Sequence, residues 1–189
     1  GAQMAVKQFK DIELTLYGDE NKIRKYMKED HERIKIVHTD SFIDMGEHDP
    51  VTQIRKNRKS SLVLSMKSCK DGENDGIITA GPTQAVIVGA HIIIKRIPQM
   101  SRVALAPIIP NAYGSHKLLL DVGANVELRP EHLEELAIYA TVAAKVIFGT
   151  ENPKVGLLNI GTEPGKGRQV DQETYERLMG NQTINFVGN

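Results

Sequence analysis

Leu118-Leu-Leu-Asp121-Val-Gly123-Ala-Asn125 is an apolar run that stops on a carboxylate and turns on glycine. Val155-Gly-Leu-Leu-Asn159-Ile-Gly161-Thr-Glu-Pro-Gly165-Lys166-Gly167 repeats the design, with an amide for the acid and a lysine late in the loop. Such runs read as buried strands that carry polar side chains and free backbone N–H groups to the carboxyl edge of a sheet. Open α/β sheets bind ligands at that edge, and clustered N–H groups favour anions. Two such ends imply a shared crevice for a small anionic ligand.

Outward from these runs, strand-like and helix-like stretches alternate. Residues 1–9 read as a helix with Met4, Ala5 and Phe9 on one face. Residues 12–17 and 33–38 read as strands flanking a helix that starts at Asp19-Glu20, where acidic side chains suit the helix dipole, and runs to Glu29. Pro50 suits the first position of a helix, and Ser60 or Ser61 the cap of another over residues 62–70. Residues 76–79 form a short apolar run expected to be a buried strand, followed by a helix from about Ala80 to Arg96. Further strands are expected over 103–109, 118–122, 154–160 and 184–187, with helices over 130–148 and 171–179. Near-continuous apolar strands between helices indicate an α/β fold with a mostly parallel sheet covered on both faces. One domain over residues 1–189 is expected. A chain that opens inside a helix and stops just after a strand suggests the central part of a longer protein.

The balance of 24 basic and 24 acidic residues gives no electrostatic footprint for nucleic acid. A lone cysteine, Cys69, excludes an internal disulfide and a multi-cysteine metal site. The longest apolar stretch, residues 85–94, is interrupted by His91 and is too short to span a bilayer. Together these point to a cytoplasmic protein.

Each candidate site feature has a plain reading beside its functional one. Gly161–Gly167 has neither the spacing nor the Ser/Thr of a nucleotide P-loop. It still offers Gly161, Gly165, Gly167 and Lys166 to a phosphate, or else is a flexible loop with a solvated lysine. Asp121 either emerges at the crevice or caps its own loop. Thr79-Ala-Gly81-Pro-Thr83 precedes a helix and serves as an anion site or as an ordinary cap. The Arg55-Lys56-Asn57-Arg58-Lys59 run is a solvated face or a dock for an acidic partner. Asp44, Glu47, His48 and Asp49 lack metal-ligand spacing. His116 is a proton donor at the crevice or a solubilising strand-edge residue. His91 reads as a satisfied core histidine, and Cys69 as an inert thiol.

The same segments resemble the PlsX family, acyl-ACP:phosphate acyltransferases of bacterial phospholipid synthesis. The resemblance is carried by Leu16-Tyr-Gly-Asp19-Glu20, Ile36-Val-His38-Thr, Thr79-Ala-Gly81-x-Thr83, Leu118-Leu-Leu-Asp121-Val-Gly-Ala-Asn125, Pro130-Glu-His132, Asn152-Pro-x-Val-Gly-Leu-Leu-Asn159-Ile-Gly161-x-Glu163-x-x-Lys166-Gly167 and Ile184-Asn-Phe-Val-Gly-Asn189. It runs across the whole chain in order. Family members extend further at both ends, beginning with a strand and a Met-Gly-Gly-Asp loop. Where the family has Ser-Ala-Gly-Asn-Thr-Gly-Ala, this chain has Pro82 and Gln84 in place of the Asn and the second Gly. That exchange removes one hydrogen-bonding amide and adds bulk.

The resemblance implies a three-layer fold of the isocitrate/isopropylmalate dehydrogenase type, shared with phosphotransacetylases. It implies transfer of a fatty acyl group from acyl carrier protein to inorganic phosphate, giving acyl phosphate without metal or organic cofactor. Lys166, Asn159, Asn125 and Asp121 take the catalytic roles: Lys166 and the glycine loop hold phosphate, the two amides orient phosphate or the acyl carbonyl, and Asp121 positions a neighbouring donor. Gly161, Gly165, Gly167, Gly81, Thr83 and His116 are expected to bind substrate. Arg55, Arg58 and Lys59 are expected to dock the acidic carrier. A homodimer with peripheral membrane association through segments outside this chain is also implied. Two other readings stay open: an incomplete or non-catalytic phosphate-ligand-binding module, and an acyl-CoA-dependent phosphotransacylase. A short acyl donor needs only a small pocket, whereas a fatty acyl chain needs a deeper apolar one.

Overall fold

A computed structural model describes residues 1–189. The chain divides into two compact units, Gly1–Lys95 and Arg96–Asn189.

In the first unit, β1 (Leu14–Gly18) runs parallel to β2 (Ile34–His38), with Leu14 opposite Ile34 and Gly18 opposite His38. Between them lies α2 (Glu20–Tyr26), which follows α1 (Ala2–Gln8) in helix order. Asp19 starts α2 by accepting the Asn21 N–H at 2.9 Å and the Lys22 N–H at 3.2 Å. The helices α3 (Pro50–Lys56), α4 (Ser61–Lys70) and α5 (Thr83–Gly89) follow, and α5 continues as a π-helical turn, Ala90–Ile94. Pro50 takes the first position of α3, and the Asp49 carboxylate accepts the Thr52 N–H at 3.0 Å. The core is Ile43, Ile54, Leu62, Val63, Met66, Ala85 and Ile93. Gly89 lets α5 close on α4, since a methyl there would overlap the Met66 thioether and lie 2.9 Å from its Cε.

The second unit holds an antiparallel pair, β3 (Ile108–Pro110) with β4 (His116–Leu118), and a parallel pair, β5 (Lys154–Val155) with β6 (Asn185–Phe186). Its helices are α6 (Pro130–Phe148) and α7 (Gln169–Gly180). They bury Leu136, Ala137 and Leu178. Glu134 on α6 accepts from Arg177 at 3.1 Å and from Asn181 at 2.8 Å, pinning the far end of α7. No helix is long and apolar enough to cross a membrane.

The α/β class and most elements follow the sequence reading, and several local expectations do not. Two of the three strand pairs are parallel and one is an antiparallel hairpin. The run 76–79 is not a buried strand: it is coil and Ile78 is 99% exposed, because no neighbouring strand supplies a ladder. The strand expected over 103–109 survives only at Ile108–Pro110. Upstream, side chains take the ladder's place, with Asp121 accepting the Leu105 N–H and Asn125 donating to the Val103 carbonyl. Of the strand expected over 118–122 only Leu118 joins a ladder, as the end of β4, and those at 154–160 and 184–187 shrink to β5 and β6 with isolated bonds such as Leu157 N–H to the Gly188 carbonyl at 2.9 Å. On α1 the inward side chain is Val6, while Met4 and Phe9 are exposed. His91 is exposed and Ile93 turns inward in its place. Ser60 sits at the cap of α4, yet its hydroxyl is buried and unpartnered.

Candidate functional site

Both motif loops fall in the second unit, and they are built oppositely. The loop after β4 closes around one carboxylate. Asp121 Oδ1 accepts from the N–H groups of Leu105 (2.9 Å), Gly123 (3.3 Å) and Ala124 (3.1 Å). Its Oδ2 accepts from the Asn125 N–H and side-chain amide, each at 2.8 Å. The other amide hydrogen of Asn125 goes to the Val103 carbonyl at 2.7 Å. Partial burial pushes the Asp121 carboxyl up, but the hydrogen bonds from Asn125, Leu105 and Ala124 outweigh it and hold the group below the ordinary aspartate range. With the Val122 N–H given to the Leu105 carbonyl, the backbone N–H groups of residues 122–125 are all spent within the chain.

The loop after β5 is open. The Asn159 amide donates to the Lys166 carbonyl at 3.0 Å and to Asn189 at 3.3 Å, while its oxygen accepts the Ile160 N–H at 2.8 Å. Asn189 donates to the Glu163 carbonyl at 3.1 Å. Gln172, on the first turn of α7, donates to the carbonyls of Gly165 (2.7 Å) and Gly167 (3.2 Å). Amide side chains thus cover the loop's carbonyls, and the N–H groups of Gly161, Thr162, Glu163, Gly165 and Gly167 make no hydrogen bond. Backbone geometry depends on glycine here, with φ of +84° at Gly165 and +87° at Gly167. A methyl on Gly167 would collide with the Asn159 amide oxygen and lie 2.8 Å from Asp171 Oδ2. Asp171 accepts from the Arg168 N–H at 2.8 Å and from its guanidinium at 3.0 Å, closing the loop onto α7. These bonds hold the Asp171 carboxyl below its ordinary range. Lys166 is exposed and takes part in none of the chain's ion pairs.

One apolar cavity of about 220 Å³ touches both strand ends, lined by Leu118–Leu120 from one and Val155–Leu158 from the other. Asp121 and Asn159 are the next residues in each segment, but neither they nor their glycine loops line it, so what the two segments share is an apolar hollow. His116 lies on its rim, stacked on Phe148 with ring centroids 5.9 Å apart.

In the first unit, the Gly81 N–H donates to the Thr79 hydroxyl at 3.0 Å, and Thr83 opens the seven-residue α5. Gly81 lines an open groove of about 1010 Å³ beside β1. Arg55, Arg58 and Lys59 are exposed at the end of α3 and just beyond it.

The sequence reading gave no role to Gln172 or to the terminal Asn189, which together satisfy three loop carbonyls. The available signal was an amide placed one helical turn beyond a glycine loop. Asn125 and Asn159 differ from expectation in one respect: all of their amide hydrogens are committed to the protein's own acceptors.

A family model described as fatty acid synthesis protein matches residues 1–189. A phosphate acyltransferase of Acholeplasma laidlawii (strain PG-8A) is 44% identical over 190 residues, covering 100% of this chain and 57% of that protein. A phosphate acyltransferase of Bacillus cereus (strain G9842) is 42% identical over 189 residues, and one of Listeria innocua serovar 6a is 40% identical over 189; each match covers 100% of this chain and 56% of the relative. The chain therefore spans little more than half the length of these curated relatives.

Proposed function

This chain belongs to the fatty acid synthesis protein family, and we propose on that footing that it is the part of a phosphate acyltransferase that binds and presents inorganic phosphate. The supporting observation is the polarity of the Gly161–Gly167 loop, with its carbonyls tied down by Asn159, Gln172 and Asn189 and its N–H groups unspent. An array of N–H donors beside a free ammonium attracts a dianion and leaves one phosphate oxygen to act as nucleophile.

In this reading phosphate oxygen attacks the thioester carbonyl of an acyl group carried by acyl carrier protein. The new C–O bond forms as negative charge develops on the carbonyl oxygen, which the remaining N–H donors stabilise. Collapse breaks the C–S bond, and the departing thiolate takes up a proton from phosphate or solvent. Lys166 is the cation on phosphate. Asn159 is a positioning residue that fixes the loop, and Asp121 with Asn125 holds the neighbouring turn rigid. Arg55, Arg58 and Lys59 form the dock for an acidic carrier. Gly81, Thr83 and His116 are secondary substrate contacts. The same reading assigns the chain a three-layer, mostly parallel α/β domain, central in a longer cytoplasmic homodimer that meets the membrane surface.

The test is incubation with long-chain acyl carrier protein and phosphate, with acyl phosphate trapped as hydroxamate. Product that requires phosphate and falls at least tenfold in Lys166→Ala supports the reading. Equal rates with acyl-coenzyme A contradict the carrier-protein assignment. Tight phosphate binding without product from this chain or from a longer form spanning its relatives' length contradicts the transfer itself.

A further inference from the structure

The cavity between α6 and the two strand ends is kept open by small side chains. Ala137, Ala140 and Ala144 face it from α6, opposite Leu118 and Leu120, and no larger residue fills the gap. The hollow holds about 220 Å³ and opens to solvent on one side, so a ligand can enter it without unfolding the chain. The hollow also has an outlet at a defined place: Leu158 lines it while remaining 81% exposed, and Leu158 is bonded to Asn159, the residue that frames the anion loop.

We infer that this cavity is the acyl-chain subsite and that it takes the carbons nearest the thioester carbonyl. The inference rests on the proposed phosphate acyltransferase reading and adds to it a location and a length. An apolar cavity of roughly 150 Å³ accepts a molecule the size of benzene, so the space here accepts a chain segment of roughly eight carbons. The leucine and alanine walls are apolar, His116, Lys117, Thr150 and Lys154 border solvent, and the buried Thr141 hydroxyl is spent on the Ala137 carbonyl at 2.9 Å. A carbonyl held at the Asn159 loop can therefore send its chain past Leu158 along the leucine and alanine wall of the hollow.

The experiment titrates the full chain with sodium octanoate and follows the methyl resonances of Leu120, Ala140 and Leu158. Saturable shifts at these methyls are expected, with affinity at least tenfold weaker in Ala140→Phe. Ala140→Val, which adds only two methyl groups, covers the case in which the larger variant does not fold. In turnover, Ala140→Val is expected to lower the ratio of octanoyl to acetyl transfer about tenfold, the scale expected when a pocket loses room for a methylene or two. Octanoate shifts confined to other residues, or affinity unchanged in both variants, overturn the subsite. Phosphate-dependent transfer with an unchanged chain-length ratio also overturns it and leaves the acyltransferase reading standing. Octanoate binding that depends on Ala140, without transfer from any donor, leaves the subsite standing and removes the reading it was built on.

Discussion

The loops after β4 and β5 begin from nearly the same sequence pattern and end with opposite polarity. After β4 the pivot is Asp121, an acceptor only, and it draws the surrounding N–H groups onto itself. After β5 the pivot is Asn159, whose amide donates to a loop carbonyl and leaves neighbouring N–H groups exposed. One oxygen exchanged for one NH₂ separates a glycine turn whose N–H groups are consumed from one whose N–H groups stay free. The lesson is that strand–Asx–Gly motifs are not equivalent evidence for a ligand. The acid consumes donors and the amide spares them.

The largest expected effect falls on the sealed loop. Asp121→Ala strands several N–H groups at once and is expected to destabilise the chain by about 3 kcal/mol, measured by urea unfolding. Asp121→Asn keeps part of the acceptor and should cost roughly half that. Because the folded carboxyl titrates below its unfolded value of about 3.9, its contribution is fully present above that pH. It is lost as pH falls through the lower, folded value. The gap between wild type and Asp121→Asn should therefore close in acid, and a gap that stays constant with pH shows that the charge is irrelevant.

Gly167→Ala comes next. A positive φ and two polar atoms in the way of a methyl should cost about 2 kcal/mol and disorder the loop, read as a lower melting temperature together with weaker phosphate binding. Asn159→Asp makes the two pivots alike. Loss of the donor to the Lys166 carbonyl and addition of a negative charge should weaken phosphate at least tenfold, with a stability loss of about 1 kcal/mol. Unchanged affinity in that variant would break the contrast between the loops. The smallest effect on stability is Lys166→Ala, within about 0.5 kcal/mol of wild type for so exposed a side chain. Phosphate affinity in it should still fall, and the fall should shrink as salt is raised.

Much of this was legible in the sequence. Pro50 marked the start of α3, the Asp19-Glu20 start marked α2, and the helix expected over 130–148 matches α6. Strand lengths were not legible, since a strand exists only where a neighbour completes its ladder. Residues 76–79 have the composition but not the neighbour, and Leu105 gives its N–H to a side chain. The two loops were found as a pair, but their difference was not, because hydrogen-bond direction depends on which carbonyls and N–H groups lie within reach. Gln172 and Asn189 reach the loop from a following helix and from the chain end, a proximity created only by folding.

The most direct measurement is a titration with inorganic phosphate that follows backbone amide resonances in both loops. Saturable shifts at Gly161, Thr162, Gly165 and Gly167, with Gly123, Ala124 and Asn125 unmoved, are expected if the open loop is the phosphate site. Shifts at the Asp121 loop instead, or none at either loop at millimolar phosphate, would refute it.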